Sequence, residues 1–276
     1  MDAHSAGTVT VSAGLDLHVE RRGSGPTVVL LHGFTGDGTT MAGLTERLEA
    51  DAEVVVPDLV GHGRSCSPPS VGDCSVEAMA AQVAAVGEAS GSGAFHLVGY
   101  SMGGRVALTL ACRRPELLRS LTLIGASAGL ATEAERHARR QSDEALAASI
   151  ERDGLERFVD EWMANPLFAT QARLGEDFMA ASRAQRLRNR VEGLTRSLRA
   201  AGTGSMAPLH DDLSSCAVPT VFVTGAEDPK FTQIAIEMAA RMPRADVSVI
   251  HGAGHAAHLE QPDAVAAIVR RQMDSG

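Results

Sequence analysis

The stretch Phe95-His-Leu-Val-Gly-Tyr-Ser-Met-Gly-Gly-Arg105 decides the fold. It joins a short apolar run, typical of a buried strand, to a helical pattern over residues 104–113. Between the two lies the pattern Gly-x-Ser-x-Gly, centred on Ser101. Glycines on both sides of a serine permit a turn sharp enough to lift the hydroxyl clear of the backbone. The stretch therefore predicts a strand, a tight turn that carries a nucleophile, and a helix.

Similar apolar runs recur on both sides of this stretch and alternate with helical patterns. Strands are predicted at residues 27–31, 54–56, 121–124, 220–223 and 247–250, and helices at residues 41–50, 76–89 and 232–242. Strands that are apolar throughout are typical of a parallel sheet covered on both faces. Val9-Thr-Val11 and Leu15–Val19 predict an antiparallel hairpin at one sheet edge. The predicted fold class is α/β, a mostly parallel central sheet flanked by helices.

Residues 131–208 interrupt this alternation, because they contain helical patterns and no β-branched run. We expect them to form a helical cap, inserted between two strands of a core built from residues 1–130 and 209–276. Twelve of the 25 Lys and Arg residues lie in this segment, all of them Arg, together with 12 acidic residues. Ion pairs on a solvated helix surface account for most of such arginines, which leaves a few that can point inward.

Composition and charge exclude several classes of protein. The 276 residues are 44% hydrophobic and 21% charged, which argues against a collagenous, coiled-coil or disordered chain. A formal net charge of −9 gives nucleic acid or an anionic membrane no overall electrostatic support. With no signal-peptide or membrane-spanning pattern, we expect a cytoplasmic protein, monomeric or homodimeric. Four cysteines lack metal-ligand spacing and are expected to be unreactive thiols: Cys66, Cys74, Cys112 and Cys216.

A serine nucleophile needs a base within hydrogen-bond reach and a third group that orients the base. On a sheet of this kind, the expected order along the chain is Ser, then acid, then His. Asp228 follows the strand at 220–223 and His255 follows the strand at 247–250, so the predicted catalytic residues are Ser101, Asp228 and His255. Three neighbours are alternatives for the acid and the base: Glu227, His251 and His258.

The loop His32-Gly-Phe-Thr-Gly36 follows the predicted strand at 27–31. A glycine-rich loop there can present backbone N–H groups toward the nucleophile, and we expect the amides of Phe34 and Met102 to form an oxyanion hole. His32 is expected to be structural, as are Asp58 and His62 in the loop at 57–63. No cluster shows metal-ligand spacing, so neither a metal nor another cofactor is expected.

Short motifs spread over the chain carry a resemblance to a known family. They are Leu31-His-Gly-Phe-Thr-Gly36, Gly99-Tyr-Ser-Met-Gly-Gly-Arg105, Arg139-Arg-Gln-Ser-Asp143, Trp162 with Pro166-Leu-Phe168, Arg186-Leu-Arg-Asn189, Gly193-Leu194, Ser197-Leu-Arg199, Gly202-Thr-Gly204, Asp228 with Lys230-Phe231, and Gly254-His255. The whole chain resembles the α/β-hydrolase fold superfamily, and more narrowly the 2-succinyl-6-hydroxy-2,4-cyclohexadiene-1-carboxylate synthase family of menaquinone biosynthesis. Met206 departs from the family pattern, in which a polar residue, commonly Gln, is expected.

The resemblance implies a lyase in spite of the hydrolase fold. It implies that the Ser101 oxygen abstracts a proton, assisted by His255 and Asp228. A 2,5-elimination then expels pyruvate from 2-succinyl-5-enolpyruvyl-6-hydroxy-3-cyclohexene-1-carboxylate. This small substrate is polyanionic, and planar guanidinium groups suit its carboxylates. The resemblance implies substrate-binding roles for Tyr100, Arg105, Arg139, Trp162 and an arginine of the pair Arg186 and Arg188, and it leaves open which of these two faces the pocket.

Two other functions remain open on the sequence. A serine esterase or C–C bond hydrolase would use the same three catalytic residues without needing several arginines in the cap. A non-catalytic binding protein would not need the three residues intact. Structural roles also remain open for Arg105, which could form an ion pair, for Arg139, which could pair with Asp143 four residues later, and for Trp162, which could pack in the core.

Overall fold

The computed structural model describes residues 4–11, 14–91 and 93–275, and its centre is a sheet of eight strands. The strands are β1 (His4–Thr10), β2 (Asp16–Arg22), β3 (Thr27–Leu31), β4 (Glu53–Pro57), β5 (Phe95–Tyr100), β6 (Leu118–Ile124), β7 (Thr220–Gly225) and β8 (Ala245–Ile250). Their order across the sheet is β1-β2-β4-β3-β5-β6-β7-β8.

The pairing is antiparallel only at one side of the sheet. β2 pairs antiparallel with both β1 and β4, whereas β3 to β8 are joined by parallel pairing. The predicted α/β class with a mostly parallel sheet is confirmed, and β1 forms the expected hairpin with β2. Two residues of the predicted hairpin turn, Ser12 and Ala13, lie outside the described residues.

Helices cover the sheet, and in the described residues they are α1 (Ala42–Leu48), α2 (Val76–Glu88), α3 (Met102–Arg113), α4 (Glu133–Asp153), α5 (Leu155–Met163), α6 (Glu176–Arg186), α7 (Val191–Ala201), α8 (Pro229–Ala239), α9 (Ala257–Glu260) and α10 (Pro262–Ser275). Short 3₁₀ segments add Gly38–Met41, Val71–Cys74, Pro115–Leu117, Pro166–Leu174 and Leu213–Ser215. In this part of the chain, no helix has the length and apolar composition needed to cross a membrane.

The alternation of side chains along the strands explains why they are apolar throughout. In β3, Val29 and Leu31 belong to one buried cluster, and Val28 and Leu30 belong to a second. Successive side chains of a strand point to opposite faces, so the two clusters lie on the two faces of the sheet. A central strand therefore has no position at which a polar side chain would reach solvent.

The predicted cap, residues 131–208, contains α4 to α7 between β6 and β7. Its first helix begins at a capping box, in which the Thr132 hydroxyl accepts a hydrogen bond from the Glu135 N–H and the Glu135 carboxylate accepts one from the Thr132 N–H. The segment has its own buried cluster, formed by Ala147, Ile150, Phe158, Val159, Leu194 and Leu198, and the core residue Phe34 packs against it. A side chain that follows β3 is thus in direct contact with the inserted helices.

Candidate active site

Ser101 occupies a strained turn between β5 and α3. Its backbone angles are φ 50° and ψ −106°, outside the regions that residues other than glycine usually adopt. The turn is held by a hydrogen bond from the Ser101 N–H to the Ile124 carbonyl, at 2.8 Å. Neighbouring glycines make it possible, because a Cβ at Gly103 would lie 2.5 Å from the His32 carbonyl oxygen, and one at Gly99 would lie 2.5 Å from that of Gly103.

The structure brings Ser101, His255 and Asp228 together in the order of a catalytic relay. Ser101 Oγ lies 3.3 Å from His255 Nε2, and His255 Nδ1 lies 2.8 Å from Asp228 Oδ2. Both His255 and Asp228 are buried. The other Asp228 oxygen accepts a hydrogen bond from the N–H of Phe231, in the first turn of α8, at 3.2 Å. The imidazole is therefore held between the hydroxyl and a carboxylate that is itself fixed by a helix start.

The three alternative residues face elsewhere. Glu227 pairs with Arg173 at the surface, through both carboxylate oxygens. His251 is exposed. His258 is buried against the Tyr100 ring at 4.3 Å between centroids, and burial, with a smaller effect of nearby His255, lowers its pKa to about 3.

The two candidate oxyanion donors are the N–H groups of Phe34 and Met102. Met102 is the first residue of α3, where amides have no intrahelical acceptor and carry the positive end of the helix dipole. Among hydrogen bonds between described residues, none uses the N–H of Phe34. Both residues line the same cavity as Ser101. The arrangement suits stabilisation of a developing negative charge on an oxygen.

His32, Asp58 and His62 hold loops beside the site. His32 Nε2 accepts a hydrogen bond from the Leu59 N–H at 2.9 Å, and its Nδ1 donates to the Gly33 carbonyl at 2.8 Å. Asp58 accepts from the N–H of Gly38 at 2.7 Å, and hydrogen bonds of this kind outweigh burial and lower its pKa. Burial lowers the pKa of His62 to about 3, so this ring is neutral. These contacts agree with structural roles.

A cavity of about 390 Å³ connects two of the predicted catalytic side chains to charged residues. Besides Ser101 and His255, its lining includes Arg105, Arg139 and Asp143. Among the described Arg, Lys, Asp and Glu side chains that line the cavity, two are positively charged and one is negatively charged. This excess favours an anionic ligand.

Arg105 is the most unusual of these side chains, because it is buried without an ion pair. It is 9% exposed, and its Nη1 donates to the Ala201 carbonyl and lies 3.7 Å from Met206 Sδ. No carboxylate among the described residues lies within ion-pair distance of it. Burial, with repulsion from Arg139, lowers its pKa to about 10. Attraction by nearby Asp143 offsets only part of this cost, so a ligand that supplies a negative charge in direct contact would stabilise the buried cation further.

Arg139 and Asp143 form a pair one helical turn apart on α4. Arg139 Nε donates to Asp143 Oδ1 at 2.8 Å, while Oδ2 of the buried Asp143 has no partner among the described residues. Burial raises the pKa of Asp143. The ion pair that was the alternative explanation for Arg139 is thus present. Its hydrogen bond uses only Nε of a guanidinium that also lines the cavity.

Trp162 lines the cavity and packs edge-on against Phe34, with 5.3 Å between ring centroids. Tyr100, Arg186 and Arg188 are absent from the described residues that line the cavity. Arg188 Nη2 donates to Asp37 Oδ2 at 2.8 Å, so its charge is used against the loop after β3. The assignment of Tyr100, Arg186 and Arg188 as substrate ligands stays a prediction.

The buried Arg186 donates from Nη1 to the Ser182 carbonyl at 3.0 Å, and burial lowers its pKa. The Tyr100 ring lies against His255, at 5.5 Å between centroids, where burial raises the pKa of its hydroxyl. Tyr100 therefore lies beside His255 without lining the cavity, and Arg186 is near enough to Tyr100 for the two groups to influence each other's pKa.

Two aromatic residues beside His255 were not predicted as site residues. Phe231 lies 4.4 Å from the imidazole centroid, and Phe168, from the 3₁₀ segment of the cap, lies 6.2 Å from it. Both belong to motifs that carry the family resemblance, which was the available signal. In the part of the chain that the structure describes, no group of three His, Cys, Asp or Glu side chains could hold a metal ion.

Comparisons with known proteins agree with this geometry. Residues 26–262 match the model of the α/β hydrolase fold family. A protein of Salmonella agona named 2-succinyl-6-hydroxy-2,4-cyclohexadiene-1-carboxylate synthase is 33% identical, covering 92% of this chain and 97% of that protein. A Bacillus subtilis protein, provisionally given the same name, is 36% identical, covering 97% and 98%.

Among solved structures, MenH from S. aureus superposes with a TM-score of 0.89 at 30% identity, covering 94% of this chain and 98% of that one. Both the fold and the narrower resemblance seen in the sequence are thus confirmed. The chain belongs to the α/β-hydrolase fold family and, within it, to the family of the 2-succinyl-6-hydroxy-2,4-cyclohexadiene-1-carboxylate synthases.

Proposed function

We propose that this protein is a lyase that eliminates pyruvate from 2-succinyl-5-enolpyruvyl-6-hydroxy-3-cyclohexene-1-carboxylate and so makes the compound for which its relatives are named. The product is 2-succinyl-6-hydroxy-2,4-cyclohexadiene-1-carboxylate. The observation that carries the proposal is Arg105, a buried guanidinium without an ion pair in the cavity of Ser101 and His255. A neutral ester would leave this guanidinium without a direct ion pair, whereas a substrate with several carboxylates supplies one.

The reaction needs a base and a site for developing negative charge. His255 takes the proton of Ser101, and the serine oxygen takes a proton from a ring carbon of the substrate. That carbon carries the succinyl group, so the electron pair of the broken C–H bond first delocalises onto the succinyl carbonyl oxygen, and the N–H groups of Phe34 and Met102 stabilise this enolate-like oxygen. The pair then moves into the ring as the C–O bond to the enolpyruvyl group breaks. Enolpyruvate leaves with the electrons of that bond and becomes pyruvate when it takes up a proton, for which protonated His255 is the source.

The predicted cap supplies part of the substrate-binding surface. Arg139 of α4 offers the Nη atoms that Asp143 leaves unused, and Trp162 of α5 offers an apolar wall. Substrate-binding roles are proposed for Arg105, Arg139 and Trp162. The ligand is a small polyanionic carboxylate, and no step of this scheme requires a cofactor.

The test compares pyruvate release with hydrolysis of a neutral ester in the wild type, Arg139→Met and Arg140→Met. Arg140 is the matched control, because it follows Arg139 on α4 but binds the Gly204 carbonyl at 2.8 Å and Glu133. We expect kcat/KM for pyruvate release to fall at least 10-fold in Arg139→Met and to change less than 3-fold in Arg140→Met. Rapid ester hydrolysis without pyruvate release would instead indicate a serine esterase.

A further inference from the structure

The loop His32–Asp37 (the oxyanion loop) carries the Phe34 amide and contains a second strained residue. A hydrogen bond from the Gly36 N–H to the Gly33 carbonyl, at 3.0 Å, closes a turn with Phe34 and Thr35 at its centre. Thr35 has φ 67°, a value that turns normally assign to Gly or Asn at this position and that a β-branched residue rarely adopts. The conformation that presents Phe34 therefore needs support from outside the loop.

Two side-chain amides from the predicted cap supply that support. Asn189 Nδ2 donates to the Thr35 carbonyl at 2.8 Å, and Gln185 Nε2 donates to the same oxygen at 3.1 Å. Both amide side chains are about 5% exposed. The Thr35 carbonyl shares its peptide group with the Gly36 N–H, which donates to the Gly33 carbonyl. That carbonyl belongs to the same peptide group as the Phe34 N–H, so two donors on Thr35 hold the candidate oxyanion donor through this turn hydrogen bond.

Asn189 joins three parts of the chain at once. Its Nδ2 also donates to the Arg186 carbonyl at 3.0 Å, where α6 ends, and its Oδ1 accepts from the Gly63 N–H, in the loop after β4, at 3.0 Å. Both amide hydrogens and the amide oxygen thus have partners. A short amide with every group engaged has little freedom, so it transmits the position of the helix end to the oxyanion loop.

From these contacts we infer that Asn189, together with Gln185, is a positioning residue that holds Thr35 in its strained conformation and thereby aims the Phe34 N–H at the reacting oxygen. The predicted cap then has a second role beyond substrate binding, because its α6 end completes the oxyanion hole. The catalytic consequence rests on the proposed function, whereas the positioning itself does not.

The test uses three variants of the full chain. Asn189→Ala and Gln185→Met each remove one donor to Thr35, and Gln185→Met keeps the length of the side chain. Arg190→Met is the matched control, since Arg190 Nε donates to Ser67 Oγ at 3.1 Å. This bond joins the predicted cap to the loop after β4 and not to the oxyanion loop. If Asn189→Ala does not fold, Gln185→Met decides alone.

Amide hydrogen exchange of the peptide spanning residues 32–38 is the first readout, measured without substrate. We expect exchange to accelerate about 10-fold in Asn189→Ala and Gln185→Met and to stay at the wild-type rate in Arg190→Met. Wild-type exchange in both amide variants, or equal acceleration in Arg190→Met, would overturn the inference. This readout stands even if the wild type releases no pyruvate, an outcome that would refute only the proposed lyase function.

Steady-state kinetics of pyruvate release give the second readout. A misplaced oxyanion donor weakens the transition state more than the ground state, so kcat should fall 5- to 30-fold while KM changes less than 3-fold. A general loosening of the cap would instead raise KM, because Arg139 and Trp162 also lie in it. A rise in KM with unchanged kcat would therefore contradict the positioning role.

Discussion

Replacing Arg105 with Met should separate its contribution to function from its contribution to stability. The side chain is buried without an ion pair, and its pKa is lowered from 12.5 to about 10. This difference corresponds to about 3 kcal/mol against the charged form in the folded protein. Arg105→Met removes that cost but leaves the Ala201 carbonyl without its donor, a loss of about 1–3 kcal/mol. The two effects nearly cancel, so the free energy of unfolding should stay within about 2 kcal/mol of the wild type.

Catalysis should respond much more strongly. Truncating one partner of a buried, hydrogen-bonded charge pair costs about 2–5 kcal/mol, and 3 kcal/mol is roughly a 100-fold loss in kcat/KM. Assays of pyruvate release by Arg105→Met give kcat/KM, and urea unfolding of the same variant gives the free energy of unfolding. A loss in kcat/KM of less than 3-fold would refute the carboxylate-binding role of Arg105. A large loss accompanied by a fall of more than about 4 kcal/mol in unfolding free energy would instead point to a structural role, since core disruption produces values of that size.

Two further predictions concern the acid and a buried histidine. Asp228→Asn should lower kcat about 10³- to 10⁴-fold, because the imidazole loses its orienting carboxylate. Glu227→Gln should change kcat less than 3-fold, because Glu227 pairs with Arg173 at the surface. Equal losses of kcat for the two variants in steady-state assays would contradict the assignment of the acid.

His258 has a folded-state pKa of about 3 against 6.5 when unfolded, so below pH 6.5 the unfolded state binds a proton that the folded state does not. Stability should therefore fall by about 1 kcal/mol between pH 6.5 and 5.5, with a slope that approaches about 1.4 kcal/mol per pH unit at lower pH, and His258→Gln should reduce the fall by those amounts. Urea unfolding at pH 6.5 and 5.5 measures this fall in the wild type and in the variant. An equal fall in both would show that His258 is not buried in its neutral form.

The sheet and the placement of Ser101, Asp228 and His255 directly after its strands could be predicted, because both depend on the local pattern of apolar residues along the chain. Apolar runs identify strands such as β3 and β7, and residues that follow parallel strands meet at one edge of the sheet. Ser101, Asp228 and His255 follow β5, β7 and β8, so the pattern predicts all three at the same edge of the sheet. Because β6 and β7 separate β5 from β8, the contact between Ser101 and His255 also depends on the path of the loop after β8. The glycines around Ser101 add a local signal, because no other residue fits where backbones approach so closely.

The directions of the arginines in the predicted cap could not be predicted in the same way. Helical periodicity places residues on faces only within a helix, and α6 ends at Arg186, so the pattern says nothing about Arg188 two residues later. Its pairing with Asp37 depends on how the helix end packs on the core. The role inferred for Asn189 depends on the same packing and on the positive φ of Thr35. Both residues belong to motifs that carry the family resemblance, but their residue types predict neither the packing nor the backbone angle.

Pyruvate release from 2-succinyl-5-enolpyruvyl-6-hydroxy-3-cyclohexene-1-carboxylate tests the central claim most directly. The unstable substrate is generated in situ, and the wild type is compared with Ser101→Ala and with spontaneous breakdown. The account predicts release well above the spontaneous rate in the wild type and a loss of at least 10³-fold in Ser101→Ala, because the serine oxygen takes the proton. Release at the spontaneous rate, or equal release by both proteins, would contradict it.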